Sequence, residues 1–273
     1  QHLGPRAVRH VSAGLRRVHL DFNINPWKKK KIFDLGDVAL PHANNNEKCI
    51  EDITNFYKKI AKEKKPVVSI GGDHSITGGI LQGLGSENLK MTKGKKISFL
   101  HIDAHTDTFS QLDHFMGAKK SAAHWGSYLV EQGIIDPKTS MQIGMRGNPR
   151  TLDWLQPSYD IGYNVVTMDE FKKRGIDEVI QETLDKIGDN PIYITFDLDS
   201  LDASVAPAVS NIEPSFTGFT IDEAKALIQS VKNKNVIGGD VVCLMPTKDQ
   251  KNNITSMVAA SIMFEIISVI AYK

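Results

Sequence analysis

Short apolar runs that end abruptly at polar clusters recur along this chain, separated by stretches of helical spacing. Val67-Val68-Ser69-Ile70, Ile97-Ser98-Phe99-Leu100-His101-Ile102, Met141 to Met145, Asn164 to Met168, Ile192 to Phe196 and Val236 to Val242 read as short strands, most of them apolar enough to be buried on both faces. Ile50, Ile53, Tyr57, Ile60 and Ala61 recur at helical spacing until Pro66 stops the helix, and Ile176, Val179, Ile180, Thr183, Leu184 and Ile187 mark another. Thr220-Ile221-Asp222-Glu223 is a capping box that starts a helix through Val231. Gly4 to Arg9 opens a short helix with Pro5 in its first turn, and Ser75 is read as the cap of the helix after Gly71-Gly72-Asp73-His74. Phe33 to Val38 reads as a short strand and turn, preceded by a solvated turn at Lys28 to Lys31. The last helix, roughly Thr255 to Ala271, is apolar nearly all round, but it is short for a membrane span and contains Glu265, so a core helix is expected.

Strand alternating with helix predicts an α/β fold of three layers, with a central, mostly parallel sheet and helices on both faces. No repeat, low-complexity tract or linker divides residues 1–273, so a single domain is expected. A formal net charge of +1 gives no general pull toward nucleic acid or a membrane surface. Two cysteines, Cys49 and Cys243, exclude a disulfide framework and a four-cysteine zinc site, which favours a reducing compartment, the cytoplasm. No secretory signal is visible. The chain opens on Gln1, and an organelle such as the mitochondrion becomes the expectation if an upstream targeting segment was removed.

The chemistry collects where the apolar runs stop. His101 to Asp107 follows one buried strand, and Asp103, His105 and Asp107 stand two residues apart, so an extended chain would point all three to one side. His74 ends another strand, and Asp197 with Asp199 ends a third. In open parallel sheets ligand sites lie at the carboxyl ends of strands, which places all three clusters on one edge. Four carboxylates gathered there would repel one another when ionised. Two dications would neutralise them, and oxygen-rich ligation with two imidazoles suits manganese, with nickel or cobalt as substitutes. A metal pair that shares carboxylates lowers the pKa of a water between the ions, which points to metal-assisted hydrolysis.

With these residues in view, the chain resembles the ureohydrolase family of arginase, agmatinase and relatives. The matching stretches are Ser69 to Ser75, His101 to Asp107 and Thr195 to Asp202, joined by Gln142 to Gly147, Gly4 to Arg9 and Gly238 to Val242. Within the family the agmatinase branch is most similar, from Gln142 to Gly147 and from Ala206-Pro207 through Glu213-Pro214. The resemblance implies an arginase-like fold and two manganese ions. One would be held by His74, Asp103, Asp107 and Asp197, the other by Asp103, His105, Asp197 and Asp199, with Asp103 and Asp197 bridging. It also implies hydrolysis of a linear C–N bond in a guanidino or amidino compound, giving urea or a similar product and an amine. Asp107 is placed in the catalytic centre, and His124, with His114 as the other candidate on its loop, is the implied proton shuttle. A homo-oligomer, trimer or hexamer, follows from the resemblance alone.

Two departures shape the expected substrate. The family's opening strand and glycine-rich loop, which precede the Gly-Pro-Arg stretch, are missing from this chain. More importantly, Cys243 stands where the family has the glutamate that binds the guanidinium, and a neutral thiol cannot replace a carboxylate paired with a planar cation. Glu213 is the nearest substitute anion, and Asp202 is a further substrate-side candidate. The alternatives are therefore another guanidino or formimino substrate (guanidinobutyrate, guanidinopropionate or formiminoglutamate), or a non-catalytic, regulatory homologue. Amide hydrolysis by a deacetylase of the same fold is disfavoured, because all six ligands of a dimetal site are retained.

Overall fold

The computed structural model describes residues 1–85, 91–110, 117–213 and 217–273. His114 and Pro214 lie outside the described residues. Six strands, β1 (Val67–Ile70), β2 (Ser98–Ile102), β3 (Met141–Met145), β4 (Asn164–Thr167), β5 (Pro191–Asp197) and β6 (Asn235–Val242), form one sheet in the order β1-β6-β5-β2-β3-β4. All five pairings are parallel. The period of two along each strand sends alternate side chains to opposite faces. Leu100, Ile102, Ile192, Ile194 and Phe196 enter one core, against the helices Gly4–Ser12, Ile176–Ile187, Ile221–Ser230 and Ile254–Tyr272. Ile97, Phe99 and Tyr193 enter the other, against Asn46–Lys62, Ser75–Leu84 and Trp125–Glu131. The result is the expected three-layer α/β arrangement.

The helix Ile254–Tyr272 is long and apolar enough by composition to cross a membrane. In this fold Ala259, Ala260, Ile262, Ile266 and Val269 are packed in the core instead. Its single carboxylate, Glu265, meets His19 Nε2 at 2.9 Å and accepts from Gln229 at 2.9 Å, which satisfies the charge the apolar helix carries.

Three local expectations need correction. Residues 33–38 form no strand: Phe33 and Leu35 are 75% and 63% exposed, and Asp34 and Asp37 close onto the Arg9 guanidinium at 2.8 Å. Two apolar side chains without a neighbouring sheet edge cannot hold an extended segment. Ser75 is the first helical residue rather than the cap, and its backbone N–H donates to Asp73 Oδ1 at 3.1 Å. The third concerns the acidic stretches themselves, which are turned, not extended. The His105 N–H donates to Asp103 Oδ1 at 2.8 Å, Asp107 takes a left-handed φ of 51°, and Leu198–Ser200 is a 3-10 turn closed by the Asp199 N–H on Asp197 Oδ1 at 2.9 Å. Asp side chains favour such turns because they bond backbone two residues ahead and tolerate left-handed geometry.

Strand order explains why the site forms. β1, β6, β5 and β2 are consecutive neighbours, spaced about 4.8 Å apart. The residues that leave their carboxyl ends, His74, Cys243, Asp197 with Asp199, and Asp103 with His105 and Asp107, therefore come from adjacent strands. Beneath them runs a buried polar row in register across five strands: Ser69, Asp240, Thr195, His101 and Gln142.

Candidate metal centre

His74 is fixed from behind. Thr195 Oγ1 donates its proton to Asp240 Oδ1 at 2.7 Å, so it accepts from His74 Nε2 at 2.8 Å, and the His74 ring packs 5.0 Å from Trp125. Asp240 is buried and also accepts from Thr77 at 2.8 Å and Tyr193 at 2.9 Å. With its proton on Nε2, His74 turns Nδ1 onto Asp103 Oδ2 at 2.9 Å, Asp107 Oδ2 at 3.0 Å and Asp197 Oδ2 at 3.3 Å. In the neutral ring that buried nitrogen is a lone pair facing only other acceptors, so it has no hydrogen-bond partner until a proton or a cation sits there.

His105 repeats the arrangement on the other side of Asp103. Its Nδ1 lies 3.5 Å from Asp103 Oδ1 and 3.4 Å from Asp199 Oδ2, while Nε2 lies 3.3 Å from Glu213 Oε1. Ligating atoms of His74, His101, Asp103 and Asp107 fall within 4.8 Å of one another, and so do those of Asp103, His105 and Asp199. Asp103 belongs to both groups, one oxygen to each, and Asp197 reaches the first through His74.

The sequence motif alone gives His101 no role, and its hydrogen bonds define one. Gln142 Nε2 donates to Thr106 O at 2.6 Å and meets His101 Nδ1 at 3.2 Å. An amide N–H can only donate, so His101 Nδ1 is the acceptor and Nε2–H donates to Asp103 Oδ2 at 2.8 Å. His101 thus orients a carboxylate and has no lone pair left for a metal. Its signal in the sequence is the shared parity with Asp103, two residues on. Trp125, Thr195 and Arg146 were likewise not singled out. Trp125 Nε1 donates to Asp107 Oδ2 at 3.0 Å, and buried Arg146 ties down the Asp199 turn by donating to the carbonyls of Asp199, Ser200 and Leu201 at 2.6–3.0 Å.

Two like charges 4 Å apart cost about 4 kcal/mol at an effective dielectric near 20. Asp103 has ligand atoms within 4.8 Å of those of both Asp107 and Asp199, and repulsion of this size rivals the roughly 5–15 kcal/mol that stabilises an entire domain. A cation or protons must compensate. Burial, together with Asp197 and Asp103, pushes Asp199 well above the usual carboxylate range. Burial would lower His74 and His105, but their carboxylate neighbours outweigh it and hold both well above the usual imidazole value. The donor set therefore fits divalent metal: oxygen-rich, with two imidazole nitrogens facing carboxylates and a shared aspartate. Metal ligation needs neutral imidazole, so uptake must expel the protons these rings hold, and affinity must fall as pH drops through their raised pKa values. Calorimetric titration with manganese in two buffers of different ionisation enthalpy is expected to show net proton release. Equal heats in both buffers would contradict this.

The remaining sequence candidates are placed as follows. Cys243 is buried in a left-handed conformation, φ 70°, with its N–H donating to Gly72 O at 2.8 Å. Burial and the nearby Asp197 and Asp199 push its thiol well above the ordinary range, which keeps it neutral. Glu213 is held below the usual range chiefly by its hydrogen bond from His105, against burial. The Asp202 carboxylate accepts from the Ser204 N–H at 3.0 Å, Ser204 Oγ at 2.6 Å and the Gly218 N–H at 3.2 Å, closing its own loop. His124 is buried beside Trp125, with Nδ1 2.7 Å from Ser121 Oγ.

Comparison with known proteins agrees with this geometry. The sequence pattern of the Arginase family matches residues 1–268. The mitochondrial guanidino acid hydrolase of Homo sapiens is 33% identical over 264 residues, covering 97% of this chain and 71% of that protein. An agmatinase of Escherichia coli is 32% identical over 278 residues, covering 99% of this chain and 81% of its own. The solved structure of proclavaminate amidino hydrolase from Streptomyces clavuligerus superposes with a TM-score of 0.86 at 28% identity, covering 99% of this chain and 85% of that one. A buried aspartate and histidine cluster on a six-stranded parallel sheet, with a family pattern over nearly the whole length, leads to one conclusion: the chain belongs to the arginase family and is one of its hydrolases.

Proposed function

We propose that this protein is a binuclear manganese amidinohydrolase that cleaves the linear C–N bond of a small guanidino compound to urea and an amine. The observation that carries the reading is the pair of imidazole nitrogens, His74 Nδ1 and His105 Nδ1, each turned onto carboxylate oxygens and joined through Asp103. Metal ions held by His74, Asp103, Asp107 and Asp197, and by Asp103, His105, Asp197 and Asp199, would supply a nucleophile from water near neutral pH. The chain's own contribution is to hold these ligands in place. The Thr195–Asp240 relay fixes His74, Gln142 with His101 fixes Asp103, and Trp125 fixes Asp107. The names of the relatives, a guanidino acid hydrolase, an agmatinase and an amidino hydrolase, support a guanidino or amidino group as the part of the substrate that reacts.

Cys243, a buried and neutral thiol, favours a second form of the same reading, in which the substrate is smaller or less basic than agmatine. Manganese-loaded protein should be offered agmatine, guanidinobutyrate, guanidinopropionate, arginine, guanidine and formiminoglutamate, with urea release and substrate loss both followed. Turnover of at least one member is expected, with agmatine and arginine poor. No turnover of any member, with two ions bound per chain, would overturn the reading in favour of a non-catalytic homologue.

A further inference from the structure

His74 and His105 differ in how firmly their rings are held. His74 is enclosed, with its side chain 1% exposed and its ring against Trp125, whereas the His105 side chain is 33% exposed. The outer torsion of a histidine is broad, so an open ring is not aimed by packing alone. What meets its far nitrogen is Glu213, 3.3 Å from Nε2, on the stretch of loop between Ala206-Pro207 and residue 213. An ionised carboxylate only accepts, so Nε2 carries the proton and the free lone pair of the neutral ring is on Nδ1, facing Asp103 and Asp199.

The carboxylate is itself seated. A Cβ added at Gly147 would lie 2.6 Å from Glu213 Oε2 and 2.7 Å from its Cδ, so a side chain there would displace the carboxylate, and φ 103° at Gly147 is a backbone conformation that favours glycine. Oε1 is thus engaged by His105, and Oε2 lies against the backbone of a second loop. Neither oxygen is a free anion waiting for a substrate cation.

We propose that Glu213 is a positioning residue: it accepts the Nε2 proton of His105 and so aims His105 Nδ1 at the place between Asp103 and Asp199 where the second metal ion would be held. This rests on the metal reading of the site. Removing a carboxylate that orients a ligating histidine costs about 10–100-fold in metal affinity.

The test is stepwise manganese titration of the full chain, read by calorimetry and by the spin-coupled pair signal in electron paramagnetic resonance. The parent is expected to bind two ions. In Glu213→Ala the affinity for one ion should fall about 10–100-fold while the other is unchanged, with KM unaffected at saturating manganese. Glu213→Gln keeps the acceptor and loses the charge, so it should fall in between. Gly147→Ala should reproduce the loss with the carboxylate still present, by displacing it. Should that variant fail to melt cooperatively without metal, the Glu213 pair decides alone. Unchanged affinity for both ions in Glu213→Ala would overturn the proposal, and a raised KM alongside would make Glu213 a substrate contact. A parent that binds fewer than two ions would overturn the metal reading itself, and this inference with it.

Discussion

Asp103→Asn is expected to leave the chain with less than one divalent ion and no measurable amidinohydrolase activity. Asp103 is the carboxylate both halves of the site share: Oδ2 serves His74 Nδ1 and the His101 Nε2–H, and Oδ1 faces His105 Nδ1 while accepting the His105 backbone N–H. An asparagine must present its NH₂ to one of these. Whichever way the amide turns, a donor meets a donor, at His101 Nε2 or at the His105 amide, and one metal-facing oxygen is lost. Breaking a buried charged contact by removing one partner costs about 3–5 kcal/mol. That is a cost to folding, to be read as a lowered melting temperature, and the loss of activity follows from the loss of metal. Elemental analysis after manganese loading and dialysis, together with urea release, measures both effects. The melting temperature of metal-free protein controls for folding. Two ions per chain with parental turnover would refute the shared-ligand assignment.

The apolar runs made the sheet legible because a parallel strand buried on both faces has to be a short apolar run, and β1, β2, β5 and β6 all are. Their polar endings were legible for the same reason, since four carboxylates and two imidazoles have no packing role there. What could not be read was how they converge. Period-two spacing suggested extended segments, but Asp103 and Asp197 each bend the chain by accepting the N–H two residues ahead. The supporting groups were hidden because partnership depends on strand order. Thr195 and Asp240 are 45 positions apart and meet only because β5 and β6 pair in a register that sets them side by side. Gln142 meets His101 through the same kind of register between β2 and β3. Phe33 to Val38 failed for the opposite reason: a local pattern was present, and among the described residues no strand pairs with it.

Replacing Cys243 with glutamate is expected to raise kcat/KM for agmatine above a weak parental value by on the order of 10² to 10³, the equivalent of about 2–4 kcal/mol for gaining a charge-assisted contact. The carboxylates that could otherwise receive a guanidinium are already engaged: Asp107 by Trp125 and His74, Asp202 by Ser204 and Gly218, and Glu213 by His105. The thiol, held neutral by burial beside Asp197 and Asp199, adds no charge of its own. The parent should therefore prefer a guanidino compound whose recognition does not depend on one more anion. The glutamate would enter a buried position beside Asp197 and Asp199, where its charge is costly until a cation pairs with it. Its benefit should accordingly appear only with cationic substrates, while turnover of the preferred substrate falls. Steady-state kinetics of parent and Cys243→Glu on agmatine and on the best substrate of the panel separate these effects. Strong agmatine turnover by the parent, unimproved or lowered by the glutamate, would show that the thiol is no obstacle and that the guanidinium is held by some other group.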